Sequence, residues 1–438
     1  MDVLIVYERK QRELENAILM QIELESRGYS CDIVQFYEAS KFNLLNINSP
    51  KVILTPHLYN TKSVYRNFAR FGHAKYLVNL QYEQVLSKKW EVLGAHTPKG
   101  SAQDFFHICW GDEVVNRLIE GGIPDYNIKV IAPLHLDLLR SEYRPCKSKL
   151  RDDLARNYGL ESTRKWVLFL SSFTYADIEL NRLKMNEAAA GTDLSDFPEI
   201  HTKSRDELLR WFSSVLEKDT ESLFIYRPHP DELNLVNVLK LENNFPNFRV
   251  IRERAVKDWI QVSDNIYTWY STSVVESHFL DKPYSILRPY PLPDSFDSVL
   301  LKYGDFITSY SQFESDYFLL DEQRSFAISD QHIKKYYKVD EVSPSFKKMG
   351  DFVESLLINE DASKFSFDIK LYLVAKLKSL IIYPVFMFNK LKNGTPILNQ
   401  KRGNGLFSQI SKEIVGQVAN KQEKGKIENR LKAQIRKC

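Results

Sequence analysis

The densest chemistry in the chain is Tyr226-Arg227-Pro228-His229-Pro230-Asp231-Glu232, which follows directly on the apolar run Leu223 to Tyr226. Two prolines stop a strand and hold the histidine at its carboxyl end, where ligands of parallel sheets bind. A histidine there, beside Arg227, can donate hydrogen bonds to a mono- or diphosphate and can protonate a leaving group. Taken alone, the same residues also describe a surface turn. Further along, Tyr270-Ser271-Thr272-Ser273-Val274-Val275-Glu276 follows an apolar run ending at Trp269. Hydroxyls at a strand-to-helix junction cap the helix and, with its free amides, make an anion site. Glu276, one turn in, can reach a ribose hydroxyl or close a capping box. Glu253, at the end of another run, is a second candidate for ribose or base.

The elements that position these groups are legible as apolar runs. Val3 to Tyr7 reads as a buried strand, Leu14, Ala17, Ile18 and Ile22 recur at helical spacing, Gly28 stops that helix, and Cys31 to Phe36 reads as a second strand. Short runs at Val52 to Leu54, Tyr76 to Leu80, Phe106 to Cys109 and Ile128 to Ile131 continue the alternation. Residues 140 to 164 are charge-rich and carry Pro145, and the pattern restarts at Trp166 to Leu170. Strand and helix alternating twice over predicts two doubly wound α/β domains, 1–148 and 149–362, facing a cleft that takes the ligand. Residues 290 to 345 predict irregular structure closing the second domain, and Phe352 to Leu357 a helix.

Composition sets the limits. With 438 residues, 43% hydrophobic and 13% aromatic, the chain can bury two cores, which excludes disorder of the whole. Cys31, Cys109, Cys146 and Cys438 lie too far apart to suggest a zinc site or a disulfide framework, which fits a reducing cytoplasm. Met1 to Tyr7 is too short for a signal peptide, and no run approaches the ~18 apolar residues of a membrane span. The net charge is +3, yet Lys370 to Cys438 holds fifteen Lys and Arg against three Glu, so the tail is +12 and the rest −9. An acidic body argues against a nucleic-acid partner. Within the basic tail, 363–438, the apolar Ser379 to Phe388 is flanked by Lys370, Lys376, Lys378, Lys390 and Lys392, the pattern of an interfacial segment on an anionic membrane surface. A helix packed on the body is the other reading.

The order of His-Pro motif, acidic residue and Ser/Thr pair resembles the nucleotide site of bacterial sialyltransferases and of related transferases that use CMP-activated Kdo or nonulosonic acids. Asn79-Leu80-Gln81-Tyr82-Glu83-Gln84, Cys109-Trp110-Gly111 and Ser171-Ser172-Phe173-Thr174-Tyr175-Ala176-Asp177 are similar to stretches of the bacterial surface carbohydrate biosynthesis proteins. The resemblance covers residues 1 to 345. It implies a GT-B glycosyltransferase that moves a 3-deoxy-2-ulosonic acid sugar from its CMP donor to a glycan or lipid-linked glycan acceptor, at the cytoplasmic face of the membrane. It implies that His229, with Arg227 beside it, contacts the donor phosphate, that Ser271, Thr272 and Ser273 bind phosphate or nucleotide, and that Glu253 or Glu276 binds ribose. Glu83 is then placed to act on the acceptor hydroxyl, and Asp177 to serve as nucleophile in a retaining, two-step route. His57, His73 and His135 remain possible acceptor contacts. The glycine-rich phosphate loops, the nucleophile elbow and the HExxH pattern are missing, and the DxD pattern of metal-dependent sugar transferases has no convincing setting, so neither a metal nor a further cofactor is expected. The rivals are a polyol-phosphate transferase using CDP-glycerol or CDP-ribitol, an epimerase of the UDP-N-acetylglucosamine type, and a non-catalytic assembly protein.

Overall fold

The computed structural model describes residues 1–38, 49–319, 323–359, 365–391 and 416–435. Two compact units emerge: residues 1–84, 91–143 and 334–438 form the first, and 85–90 with 144–333 the second.

The first unit is built on strands β1 (Val3–Tyr7), β2 (Cys31–Gln35), β3 (Val52–Thr55), β4 (Tyr76–Asn79), β5 (Phe106–Cys109) and β6 (Ile128–Val130). They form one parallel sheet in the order β2-β1-β3-β4-β5-β6. Side chains alternate between the faces of a strand. Val3 and Ile5 therefore join one core with Leu14 and Ile18 of helix Lys10–Ser26, while Leu4 and Val6 join another with Val64 and Phe68 of helix Thr61–Phe71. Burial on both faces explains why β1 reads as an unbroken apolar run. The strand order reverses between β1 and β3, the place at whose carboxyl ends sheets of this kind take ligands.

The chain returns to this unit at Lys334. Residues 334–359, which the sequence groups with the second domain, and the described parts of the tail it sets apart, 365–391 and 416–435, pack here. Phe346, Met349, Val353 and Leu356 of helix Ser345–Ile358 lie in the core beside helix Lys10–Ser26, each contributing about 1.5 to 3 kcal/mol on burial. Arg27 fastens the same pair of helices, bonding Asp351 at 2.7 Å and Glu354 at 2.9 Å. Helix Ile369–Leu391 packs on helix Thr61–Phe71, and helix Lys421–Ile435 on helix Lys10–Ser26, where Leu431 is fully buried. A helix with one apolar stripe is stable only where that stripe finds a partner, and the periodicity does not say which domain supplies it. No described helix is long and apolar enough to cross a membrane.

The second unit holds β7 (Trp166–Leu170), β8 (Leu223–Arg227), β9 (Phe248–Val250), β10 (Asn265–Thr268), β11 (Ser285–Leu287) and β12 (Phe306–Ile307), all parallel, in the order β12-β11-β10-β7-β8-β9. Its order reverses between β7 and β10. Val167, Phe169, Phe224 and Tyr226 bury against Leu208, Phe212 and Val215 of helix Asp196–Lys218. Both units are thus doubly wound, Rossmann-like α/β folds.

Candidate active site

In the second unit, the strand ends gather most of the residues that the sequence singled out. β8 runs straight into Pro228-His229-Pro230, and the turn is fixed from below. The Glu232 amide donates to the His229 carbonyl at 2.9 Å, and Arg252 donates to the same carbonyl at 3.4 Å and to that of Glu232. The Asp231 amide donates to Nδ1 of His229 at 3.1 Å. An imidazole that accepts at Nδ1 carries its proton, when neutral, on Nε2.

Beneath the turn lies a group that motif reading left without a role. Glu232 is 1% exposed and accepts from the Tyr226 hydroxyl at 2.7 Å and from the Ser171 hydroxyl, while Ser171 and Tyr226 are themselves 2.8 Å apart. Burial pushes the Glu232 carboxyl up, and the two hydroxyls oppose that rise. The network ties the ends of β7 and β8 to the His229 turn. Glu232 stood in the quoted motif, but nothing in a local stretch reveals that its side chain points inward to meet a residue on a neighbouring strand.

Arg227 spends its guanidinium on the backbone: it donates to the Glu253 carbonyl at 2.8 Å and to that of Arg254, and burial lowers it to about 10. Glu253 is exposed, with its carboxylate turned to the Arg252 amide at 3.2 Å. After β10, the Ser271 amide donates to the Thr268 hydroxyl at 3.1 Å and the Ser273 amide to the Ser271 hydroxyl at 3.2 Å. Ser273 stands at the N-cap of helix Val274–Phe279 but makes no side-chain cap, so the capping box allowed by the sequence does not form. Glu276 in that helix is pushed up to about 7 by burial, with Lys257 pulling the other way.

Asp177, in the loop after β7, adopts a left-handed backbone (φ 49°). Its carboxylate meets Arg205, itself 1% exposed, at 2.7 Å, and its amide donates to the Thr202 hydroxyl at 3.0 Å. His201, which motif reading missed, is buried against Trp269, with ring centroids 4.7 Å apart, and burial lowers it to about 3. It is a neutral ring.

The first unit carries a separate acid-base cluster at its own strand ends. Glu83 bonds Arg12 at 3.0 Å and lies 3.5 Å from Nε2 of His96. Burial raises its carboxyl, but Arg12 and His96 outweigh burial and hold it below the usual value, so it is ionised near neutrality. Gln81, just upstream, has a left-handed backbone (φ 39°), a strain that persists only where the surroundings impose it. His57, directly after β3, lies 3.6 Å from Glu8, directly after β1, and stacks on Tyr59 at 5.3 Å. His57 thus joins the cluster, whereas His73 packs on Phe68 and Phe367, and His135 lies against Trp110. Glu8, Arg12 and His96 had no motif to mark them. Glu8 lies just beyond β1 and Arg12 in the first turn of the helix that follows, whereas His96 stands in the long connection between β4 and β5, where no local pattern marks it.

No family model matches the chain, and no curated protein sequence matches it. Solved structures do resemble it in fold. The wall teichoic acid polymerase TagF matches with a TM-score of 0.50 at 12% identity, over 81% of this chain and 89% of that one. A histidine-to-asparagine variant of TagF matches at 0.52 and 11% identity, over 82% and 89%. The Methanocaldococcus jannaschii UDP-GlcNAc 2-epimerase, in complex with UDP-GlcNAc and UDP, matches at 0.49 and 12%, over 81% and 100%, a score too low to carry argument. At such identities the likeness to TagF speaks for architecture alone, and with the two doubly wound sheets it makes the fold a GT-B-like pair of Rossmann-like units.

Proposed function

We propose that this chain is a transferase that moves a polyol phosphate, such as glycerol phosphate or ribitol phosphate, from its CDP-activated donor to a growing surface polymer. The observation that carries the reading is His229, held at the end of β8 with Nδ1 bonded to the Asp231 amide and hence a proton on Nε2. That proton is suited to a phosphate oxygen. Support from outside the chain is the fold shared with a wall teichoic acid polymerase, one structure of which was soaked with CDPG.

In this reading the His229 turn holds the donor phosphate, and Glu83, ionised beside Arg12 and His96, is proposed to receive the acceptor proton. The acceptor oxygen attacks the phosphorus that bears the polyol. The bond from that phosphorus to the bridging oxygen breaks, and CMP departs with the electron pair. Such transfers require little beyond positioning and charge stabilisation, so a weakly basic carboxylate suffices. The basic tail is proposed to hold the enzyme at an anionic membrane surface on the cytoplasmic side.

A second reading, transfer of a Kdo or nonulosonic acid from its CMP donor, is favoured by the strained backbone at Asp177. The ion pair with Arg205 weighs against it, because a carboxylate so engaged is a poorer nucleophile. Heat protection by CDP, CMP, UDP and UMP separates the possibilities, since a ligand stabilises only by binding the native state. CMP is the leaving group of both routes, so the second phosphate decides: CDP protecting at least as well as CMP supports polyol-phosphate transfer, and CMP protecting while CDP does not moves the assignment to ulosonic acid transfer. UDP protecting best points to epimerase chemistry, and no protection by any of the four to an assembly role.

A further inference from the structure

Arg66 and Arg70 lie one turn apart on helix Thr61–Phe71, whose start is fixed by a capping box between Asn60 and Ser63. Both guanidiniums sit over the Phe36 ring, 4.8 Å and 4.6 Å from its centroid. Arg70 is 4% exposed and donates to the Phe36 carbonyl at 3.1 Å. Arg66 lies 3.0 Å from Nε2 of His57, and its own Nε is buried with no hydrogen-bond partner. Among the described residues, no carboxylate lies within 4.0 Å of either guanidinium.

Three other buried arginines face acids at close range, whereas Arg227 bonds backbone carbonyls. Arg205 meets Asp177 and Asp206, Arg288 meets Asp297, and Arg324 meets Asp316. A buried cation without a counter-charge is strongly disfavoured, and two adjacent ones more so. Burial, followed by repulsion from Arg66, lowers Arg70 to about 10. The pair is also well placed to meet a ligand. Phe36 directly follows β2, His57 lies just after β3, and strand ends of this kind are where parallel sheets bind.

We propose that Arg66 and Arg70 bind a phosphate group carried by the acceptor polymer. Two planar guanidiniums present forked donors that match the several oxygens of a phosphate, whose charge would add a close counter-charge to the longer-range attraction of Glu8. The identity of the ligand rests on the polyol-phosphate reading, which provides a phosphate-bearing acceptor; the anion site itself rests on two adjacent buried guanidiniums with no carboxylate at ion-pair distance and on the unbonded Nε of Arg66.

Calorimetry of the full chain with glycerol 3-phosphate, inorganic phosphate and glycerol, alongside CDP, tests this. The wild type should bind glycerol 3-phosphate and phosphate but not glycerol. Arg66→Gln and Arg70→Gln should each weaken glycerol 3-phosphate binding about 10- to 100-fold, as loss of charged hydrogen bonds predicts, with CDP binding unchanged. Arg66→Lys, which keeps the charge and loses the fork, should fall between. If Arg70→Gln does not fold, the less buried Arg66→Gln decides. Absence of phosphate binding by the wild type, or equal binding by folded variants, overturns the proposal. Arginine-dependent phosphate binding without CDP binding upholds the anion site and sinks the donor reading; CDP binding with arginine-independent phosphate binding does the reverse.

Discussion

The backbone amide of Asp231 donates to Nδ1 of His229 across 3.1 Å, and that one contact sets which ring nitrogen of His229 carries the proton. If the Nε2 proton stabilises charge on the departing phosphate, His229→Ala should lower turnover about 100- to 1,000-fold, the usual effect of removing one such donor. The side chain is only half-buried, and the Glu232 carboxylate holds the turn through the His229 amide at 3.4 Å, a bond the substitution keeps, so melting temperature should barely move. Steady-state rates beside a thermal melt check both halves. A folded variant with wild-type turnover would remove His229 from the chemistry.

Glu276 makes a pH-dependent prediction. Its folded value, about 7, lies above the ordinary 4.5, so between those limits the native state holds a proton that the unfolded state has lost. Stability therefore falls as pH rises from 4.5 through 7, and the penalty is complete above that window. Glu276→Gln should remove this slope, leaving the two proteins similar near pH 4.5 and the variant more stable by about 1 to 3 kcal/mol at pH 8. Urea unfolding across pH measures it. Parallel stability curves would show that Glu276 titrates normally.

Asp177 separates the two routes of transfer. Because Arg205 also meets Asp206 at 2.8 Å, Asp177→Asn leaves the buried guanidinium one partner and should cost about 1 to 2 kcal/mol. Under direct attack on phosphorus, turnover should survive, and mass spectrometry of enzyme trapped with donor should find no adduct. A sugar attached to Asp177, with activity abolished in the variant, would restore the two-step retaining route.

Much of the architecture was legible because buried parallel strands are continuous apolar runs: Val3–Tyr7, Trp166–Leu170 and their neighbours stand out without an alignment. Residues 290 to 345 were not, since β12 is only Phe306–Ile307 and helices Tyr310–Tyr317 and Asp330–Tyr336 are too short to display a period. At the sites, residues fixed by local turn chemistry, such as His229 between its prolines, could be found in the sequence. Those fixed by partners far along the chain could not. Arg12 meets Glu83, 71 positions away, and Ser171 meets Glu232, 61 positions away, pairings that only the sheet order creates.

The tail gives the last prediction. Deleting it is the wrong experiment, because Leu431 and Ala419 belong to the first unit's core and the Ala419 amide bonds the Tyr7 hydroxyl at 2.9 Å. Helix Ile369–Leu391 instead offers surface positions. Its inner side, with Tyr372 and Ala375, packs on the first unit, and Lys376 donates to the Ala69 carbonyl at 3.1 Å. Leu373, Val374, Leu377 and Leu380 remain exposed, with Lys370 and Lys378 exposed among them. Aliphatic groups flanked by lysines suit a headgroup layer: the leucines gain by leaving water, and each lysine adds at most about 1 kcal/mol near an anionic surface. Leu373→Ser with Leu377→Ser should leave the melt unchanged and weaken sedimentation with phosphatidylserine-containing vesicles by at least tenfold. Salt should weaken wild-type binding as well, though less than the double substitution, because screening acts only on the lysines. Full vesicle binding by the double variant would mean that this face of the helix does not meet the membrane.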